Sequence, residues 1–174
     1  GFAAVQQTVG NDSLWGFINK KGDLVVKPMF TWVGKFGSGL TPVCIGTSTE
    51  NCTIGFINTS GEFEINPQYE YFEFYDSESS WGNYPQHGFF EGLARVMVDQ
   101  KIGYIDSTGK MVIQPQFTYG GNFVNGLARV TVNGKMGFIN KKGVLVVPAI
   151  YDSAFNFYQG RAAVEVDGKW GFIS

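Results

Sequence analysis

One five-residue phrase occurs five times in the sequence. Each copy has Trp, Ile or Met before a glycine, and then an aromatic residue, isoleucine and a polar residue. The repeat glycines are Gly16, Gly55, Gly103, Gly137 and Gly171, and the last three are each 34 residues apart. A fixed period of this length is typical of stacked repeats, in which no unit buries its apolar face alone. We therefore expect an array of similar units that presents a surface.

A second phrase recurs at a nearly constant distance before the first one. Gly-x-Ala-x-Val, or a close variant, begins at Gly1, Gly39, Gly92, Gly126 and Gly160. The last three of these glycines lie eleven residues before their repeat glycine. Each of the first four repeat glycines is followed by a polar turn and a strand-like segment that ends on an aromatic residue: Phe30, Tyr69, Phe117 and Tyr151. Another phenylalanine lies six residues further on in three repeats: Phe36, Phe123 and Phe157.

Together these phrases resemble the WG repeat, also called the KWG repeat, which is found mostly in bacterial proteins. The resemblance runs from end to end and rests on several spaced positions that recur together. It departs where the signature tryptophan is replaced by Ile54, Ile102 and Met136. The resemblance implies an all-β repeat module, often in secreted or surface proteins. It implies no reaction, because the family has no common catalytic residues.

The residues themselves also predict strands. In 127–132, Ala128 and Val130 share one face, whereas Arg129 lies on the other, as in a half-buried strand. Asn133-Gly134 follows, and this dipeptide is a strong signal for a type I′ hairpin. Closing the hairpin sets Val130 opposite Gly137, where the missing side chain lets something pack closely.

We therefore predict an all-β fold of tandem antiparallel hairpin or meander repeats of about 34 residues, with little or no helix. Three strands per unit would extend as a curved open β-solenoid, and a closed, propeller-like toroid is the alternative. One domain is expected over residues 1–174. Its hairpins are predicted near residues 1–19, 39–58, 92–106, 126–140 and 160–174, with an insertion loop at about 70–88.

Charge and composition argue against several classes of function. The net charge is −2 and the basic residues form no stripe, so we expect no nucleic-acid partner. No run approaches the roughly 18 apolar residues that a membrane helix needs, so no membrane insertion is expected. The sequence shows no phosphate-binding, dinucleotide-binding or metal-ligand motif, and we expect no metal, no cofactor and no catalytic residues.

The two cysteines fall in one predicted hairpin. The register sets Cys44 opposite Ile54, and Cys52 lies two residues before Ile54 on the same face. A disulfide between Cys44 and Cys52 would clamp the enlarged hairpin loop and would indicate an oxidising compartment. The alternative is a pair of free, partly exposed thiols.

The insertion is the candidate binding site. Gly92 lies 23 positions after Tyr69, whereas the corresponding residues in other repeats lie nine positions apart. The inserted segment is aromatic and acidic, which suits a sugar or peptide site, because rings stack and polar groups give directional hydrogen bonds. The alternative is a loop that folds its aromatic side chains onto the core. The candidate residues are Tyr75, Asp76, Trp81, Tyr84 and His87.

A catalytic triad of His87, Asp76 and Ser77 or Ser79 is disfavoured, because a single loop rarely supplies the rigid geometry that a triad needs. The sequence thus favours a non-catalytic scaffold that binds a protein or peptide, at the cell surface or in a secreted protein. The alternative function is a carbohydrate-binding module that uses the aromatic residues of the insertion.

Overall fold

A computed structural model of the chain describes residues 2–48, 51–72 and 87–174. All regular elements in these residues are β-strands, as the sequence predicts. The chain divides into two compact units; of the described residues, unit 1 contains 2–48, 51–72 and 87–89, and unit 2 contains 90–174. The expectation of one domain over the whole chain stays a prediction.

The strands follow the repeats closely. Those of residues 2–90 are β1 (Ala3–Val9), β2 (Asp12–Ile18), β3 (Leu24–Phe30), β4 (Trp32–Val33), β5 (Leu40–Gly46), β6 (Cys52–Asn58), β7 (Phe63–Glu70) and β8 (Phe89–Phe90). Those that follow are β9 (Leu93–Val98), β10 (Lys101–Ile105), β11 (Met111–Phe117), β12 (Leu127–Val132), β13 (Lys135–Asn140), β14 (Leu145–Tyr151), β15 (Ser153–Ala154), β16 (Ala162–Val166) and β17 (Lys169–Ile173). The five predicted hairpins are β1–β2, β5–β6, β9–β10, β12–β13 and β16–β17.

The predicted hairpin register is confirmed. Val130 pairs with Gly137, and the corresponding valine pairs with the repeat glycine in every other hairpin. The turn over Asn133-Gly134 has positive φ at both residues, 50° and 79°, which is the geometry of a type I′ turn. Asn and Gly tolerate this left-handed region better than other residues, so the turn sequence sets the register.

A third strand crosses each of the first four repeat glycines at a bulge. In the first repeat Trp15 pairs with Phe30 and Phe17 with Val26, so β3 advances four residues while β2 advances two. The next three repeats show the same shift. The bulged backbone lies directly over the glycine, where an ideal Cβ on Gly137 would approach the Val147 carbonyl oxygen to 2.7 Å. The close packing expected at this glycine is therefore contact with the third strand.

The repeats also contain a short fourth strand, which the expectation of three strands per unit missed. β4 pairs with β5, and β15 pairs with β16. A tight turn joins this segment to the next long strand, with positive φ at Asn125 and Gly126 in one repeat and at Gln159 and Gly160 in another. Two-residue strands carry too little periodicity to be recognised in a sequence.

Aromatic rings of successive segments fill the core of each unit. In unit 1, Phe17 contacts Phe36 with ring centroids 5.7 Å apart. In unit 2, Phe138 contacts Phe157 at 4.9 Å, and Tyr104 contacts Phe123 at 5.0 Å. The aromatic residue after each of these repeat glycines is thus covered by the phenylalanine that leads into the following repeat.

The burial of Arg129 contradicts one expectation from the sequence. The alternation in β12 predicts an exposed face for this side chain, but Arg129 is only 2 % exposed. Its guanidinium donates a hydrogen bond to the Ala154 carbonyl oxygen at 2.7 Å, and Arg95 donates in the same way to Gly120 at 2.9 Å. The second face of β12 and of β9 is therefore buried at these arginines. Each arginine links its strand to a carbonyl oxygen 25 residues further along the chain.

Candidate functional site

Most of the residues that the sequence singles out in the insertion lie outside the described residues. Tyr75, Asp76, Trp81 and Tyr84 belong to this group, as do Ser77 and Ser79. Their proposed binding role stays a prediction. The structure describes the two flanks of the insertion, up to Phe72 and from His87 onward.

His87 lies in an aromatic cluster of unit 1 and is only 6 % exposed. Its ring centroid is 4.6 Å from Phe72 and 5.0 Å from Trp32, and both pairs are edge-on. Tyr71 adds a third ring at 5.7 Å. This side chain is therefore part of the packing of unit 1.

The disulfide joins Cys44 and Cys52, with Cα atoms 5.7 Å apart. Cys44 pairs with Ile54 across the hairpin, as the register predicts. Beside the disulfide lies a cleft of about 510 Å³, which we call the cystine cleft. Its polar and aromatic lining comes from Thr47, Asn51, Thr53, Glu70 and Tyr71.

A larger opening lies in unit 2 and is built from the segment between β15 and β16 and from β16 and β17. This aromatic groove has a volume of about 590 Å³. Its lining residues are Phe155, Asn156, Tyr158, Gln159, Arg161, Ala163 and Phe172. Trp170 stands beside the groove, with its ring centroid 5.2 Å from that of Phe155.

The rings of the aromatic groove are unusually accessible. Phe172 is 77 % exposed, Tyr158 74 % and Trp170 51 %. Large apolar side chains normally lose most of their accessible surface on folding, and a contiguous exposed group of them marks an interaction site. Arg161 and two amide side chains, Asn156 and Gln159, supply hydrogen-bond donors among the rings.

The corresponding rings in the other repeats are buried. Phe17, Phe56, Tyr104 and Phe138 occupy the position of Phe172, and none of them is more than 2 % exposed. Burial raises the pKa of the Tyr104 hydroxyl well above its ordinary value, and this hydroxyl donates a hydrogen bond to the Gly121 carbonyl oxygen. The position is thus buried in the four hairpins that pair with a third strand, and exposed in β17, which pairs with β16 alone among the described residues.

Comparison with known proteins agrees with this internal periodicity. The family described as "WG containing repeat" matches residues 15–46, 54–79, 102–135 and 136–170, which together make up well over half of the chain. The chain belongs to the WG-repeat family. No curated protein and no solved structure matches the chain.

Comparison of the WG repeats with one another reveals a signal for the groove that sequence reasoning missed. The residue after the first glycine of the second phrase is leucine in three repeats, Leu40, Leu93 and Leu127, but arginine at Arg161. Two positions later, Ala163 replaces the arginine found at Arg95 and Arg129. A charged residue at a core position, and a small residue at a linking position, both indicate a repeat with a different surface.

No group of three or more His, Cys, Asp or Glu side chains within the described residues could hold a metal ion. Among the same residues, no helix has the length and apolar content needed to cross a membrane. The arrangement of the aromatic groove suits a contact surface with rings as anchors and Arg161 as a donor.

Proposed function

We propose that this WG-repeat protein is a non-catalytic scaffold that binds a protein partner through the aromatic groove of unit 2. The observation that supports this proposal is the exposure of Tyr158, Trp170 and Phe172 around one opening. Trp, Tyr and Arg are the residues most enriched among the dominant contacts of protein interfaces, and all three occur here, with Tyr158 and Arg161 in the groove and Trp170 beside it.

The scaffold is proposed to act outside the cytoplasm, in a secreted or surface protein. The Cys44–Cys52 disulfide supports this localisation, since disulfides persist mainly in oxidising compartments. We propose a curved open β-solenoid as the overall arrangement, with a closed toroid as the alternative. Extended repeat surfaces suit protein partners better than they suit the enclosure of a reaction.

A capture experiment tests the binding role of the groove. The bait is the intact chain, offered to extracts of bacterial and host surfaces, beside a groove variant with Tyr158→Ala and Phe172→Ala. A control variant carries Leu24→Ala and Val25→Ala, which remove exposed apolar side chains of unit 1. We expect the intact chain and the control to capture the same partner, and the groove variant to lose it.

A further variant separates the groove from the insertion. In it, a short Gly-Ser linker replaces residues 73–86. Retained capture by this variant agrees with binding at the groove. Loss of the partner in this variant, with retention in the groove variant, would place the site in the insertion and overturn the proposal.

A carbohydrate-binding role is the second candidate, and the cystine cleft supports it. The cleft brings the Tyr71 ring together with Thr47, Asn51, Thr53 and Glu70, which is the mix of stacking surface and hydrogen-bonding groups that a sugar needs. Tyr71 contacts Trp32 with ring centroids 5.9 Å apart. Oligosaccharide bound there should shift the tryptophan fluorescence of the intact chain but not of a Trp32→Phe variant.

A further inference from the structure

Two turns of unit 2 share the same dipeptide and the same backbone geometry. Asn125-Gly126 connects Val124 to Leu127, and Asn133-Gly134 connects β12 to β13, with a valine before each asparagine. The φ angles are 53° and 80° in the first turn and 50° and 79° in the second, as in type I′ turns. Differences in the chemistry of the two asparagines must therefore arise from the residues around them.

An asparagine that precedes a glycine can lose its side-chain amide without an enzyme. The backbone nitrogen of the glycine attacks the side-chain carbonyl carbon, and the new N–C bond closes a five-membered succinimide ring. The proton of that nitrogen passes through water to the side-chain nitrogen, which leaves as ammonia. Water then opens the ring at either carbonyl carbon and gives aspartate or isoaspartate. Glycine favours the attack, because it has no side chain that shields its nitrogen and restricts its backbone.

Both reacting groups of the first turn are hydrogen-bonded to other segments. The Asn125 side-chain amide donates to the Phe157 carbonyl oxygen at 2.9 Å, and the Gly126 N–H donates to the Glu91 carboxylate at 3.0 Å. Partial burial acts to raise the pKa of Glu91, but the hydrogen bonds from Lys141 and Gly126 lower it below its ordinary value. The carboxylate is therefore a weak base that holds the Gly126 N–H without removing its proton.

The second turn lacks these restraints. Asn133 and Gly134 are exposed at the end of the β12–β13 hairpin. Within the part of the chain that the structure describes, no residue forms a hydrogen bond with the Asn133 side chain or with the Gly134 N–H. An exposed turn opens locally at a small cost in free energy, so the side chain can reach the nitrogen while the core stays folded.

We propose that Asn133 is a site of spontaneous deamidation in the folded protein, and that the contacts with Phe157 and Glu91 protect Asn125 from the same reaction. Water is the sole co-reactant. Isoaspartate at position 133 adds a carbon atom to the backbone of a two-residue turn whose geometry sets the pairing of Val132 with Lys135. The modification therefore weakens the β12–β13 hairpin as the protein ages.

Peptide mapping by mass spectrometry tests this inference on the intact chain. The folded protein is incubated at mildly alkaline pH, and trypsin then places the two asparagines in separate peptides, residues 111–129 and 130–135. We expect Asn133 to convert at least about ten times faster than Asn125, a ratio that corresponds to about 1.4 kcal/mol in activation free energy. The two hydrogen bonds that Asn125-Gly126 must break, one of them to a charged group, are sufficient for this ratio.

The unfolded chain is the matched control. In urea the contacts of Asn125 are lost, and the two Val-Asn-Gly sequences should convert at nearly equal rates. In the folded protein, equal rates at the two sites, faster conversion of Asn125, or no conversion of Asn133 would each overturn the inference. This comparison uses the unmodified chain and does not depend on the folding of any variant.

Glu91→Ala tests the protection directly, because it removes the acceptor of the Gly126 N–H. We expect the conversion of Asn125 to accelerate towards its rate in urea, with no change at Asn133. Lys142→Ala, beside the lysine that contacts Glu91, is the control and should change neither rate. An unchanged rate for Asn125 in Glu91→Ala would show that Glu91 does not protect it.

The effect on the hairpin has its own measurement. The isoaspartate form carries an added negative charge, so ion exchange separates it from the unmodified chain. We expect it to unfold at a lower urea midpoint. An equal midpoint for the two forms would overturn the weakening of the β12–β13 hairpin.

Discussion

At the scale of single residues, the repeat glycine of the first four repeats is a position that the fold restricts closely. It lies opposite a valine on one side and beneath the bulged third strand on the other. The sequence predicts the valine pairing and the need for close packing, because hairpin register follows from the Asn133-Gly134 turn. It does not reveal that the third strand is the neighbour, since the bulge breaks the regular pairing on which such reasoning relies.

Gly137→Ala should therefore destabilise the protein. The new methyl group would lie 2.7 Å from the Val147 carbonyl oxygen and 2.8 Å from Ala149 backbone. Such overpacking against backbone costs about 1–3 kcal/mol in the free energy of unfolding. Urea unfolding measures the change, with Gly171→Ala as the matched control, because an added Cβ at Gly171 would meet no atom within 4 Å. An equal stability for both variants would show that the third strand does not restrict this position.

The buried arginines are a second feature at this scale. Arg129→Met keeps most of the side-chain volume but removes the donor to the Ala154 carbonyl oxygen. We expect a loss of about 1.5–3 kcal/mol in the free energy of unfolding, because a hydrogen bond from a charged donor is lost inside the protein. Arg161→Met, at an exposed position, should change it by less than about 0.5 kcal/mol. Equal effects would contradict the linking role of Arg129.

At the scale of elements, each hairpin was predictable and the segments around it were less so. The long strands follow from period-two alternation and from turn residues. The two-residue strands β4 and β15, and the burial of Arg129 on the second face of β12, depend on contacts with residues far along the chain. Local pattern reasoning has no access to such contacts.

The disulfide gives a prediction for the hairpin β5–β6. Reduction should lower the free energy of unfolding by about 2–3 kcal/mol, the loop-entropy value for a bridge with a sequence separation of 8. The measurement is urea unfolding with and without a phosphine reductant. A Cys44→Ala/Cys52→Ala variant provides the control, because its midpoint should not respond to the reductant. If the reductant left the urea midpoint of the disulfide-bonded chain unchanged, the disulfide would not stabilise the fold as predicted.

Glu91 connects turns of unit 2. Its carboxylate accepts a hydrogen bond from the Gly126 amide at 3.0 Å and contacts the Lys141 ammonium at 3.1 Å. Partial burial acts to raise the pKa of Glu91, but the bonds from Lys141 and Gly126 outweigh it, so the pKa lies below its ordinary value of 4.5. The folded state therefore binds the proton less readily than the unfolded chain does.

A folded-state pKa below the unfolded one stabilises the protein above the unfolded pKa, and this stabilisation is lost as the pH falls through the folded pKa. Glu91→Gln should thus reduce stability at pH 7 by less than about 1 kcal/mol, because the pair is partly exposed and screened by solvent. Below pH 4.5 the difference from the unmodified chain should shrink. Urea midpoints across pH 3–7 test this, and a difference that grows towards low pH would contradict it.

At the scale of the whole molecule, the repeat family and the all-β class were readable from the sequence, because five recurring phrases impose them. The location of the aromatic groove was not readable from the sequence. The length and the aromatic residues of the insertion predict a site there, and this stays a prediction, whereas the aromatic groove is formed by ordinary repeat positions. Only the structure shows that Phe172 and Trp170 are exposed while their counterparts are covered or partly covered.

The most direct test of the account is site-specific crosslinking at position 172. A photoreactive benzoylphenylalanine replaces Phe172 in one form of the chain and Leu24, an exposed residue of unit 1, in another. Each form is irradiated in the surface extracts used for capture. We predict one discrete protein adduct at position 172 and none at position 24. The same adducts at both positions, or no adduct at position 172, would contradict a binding role for the groove.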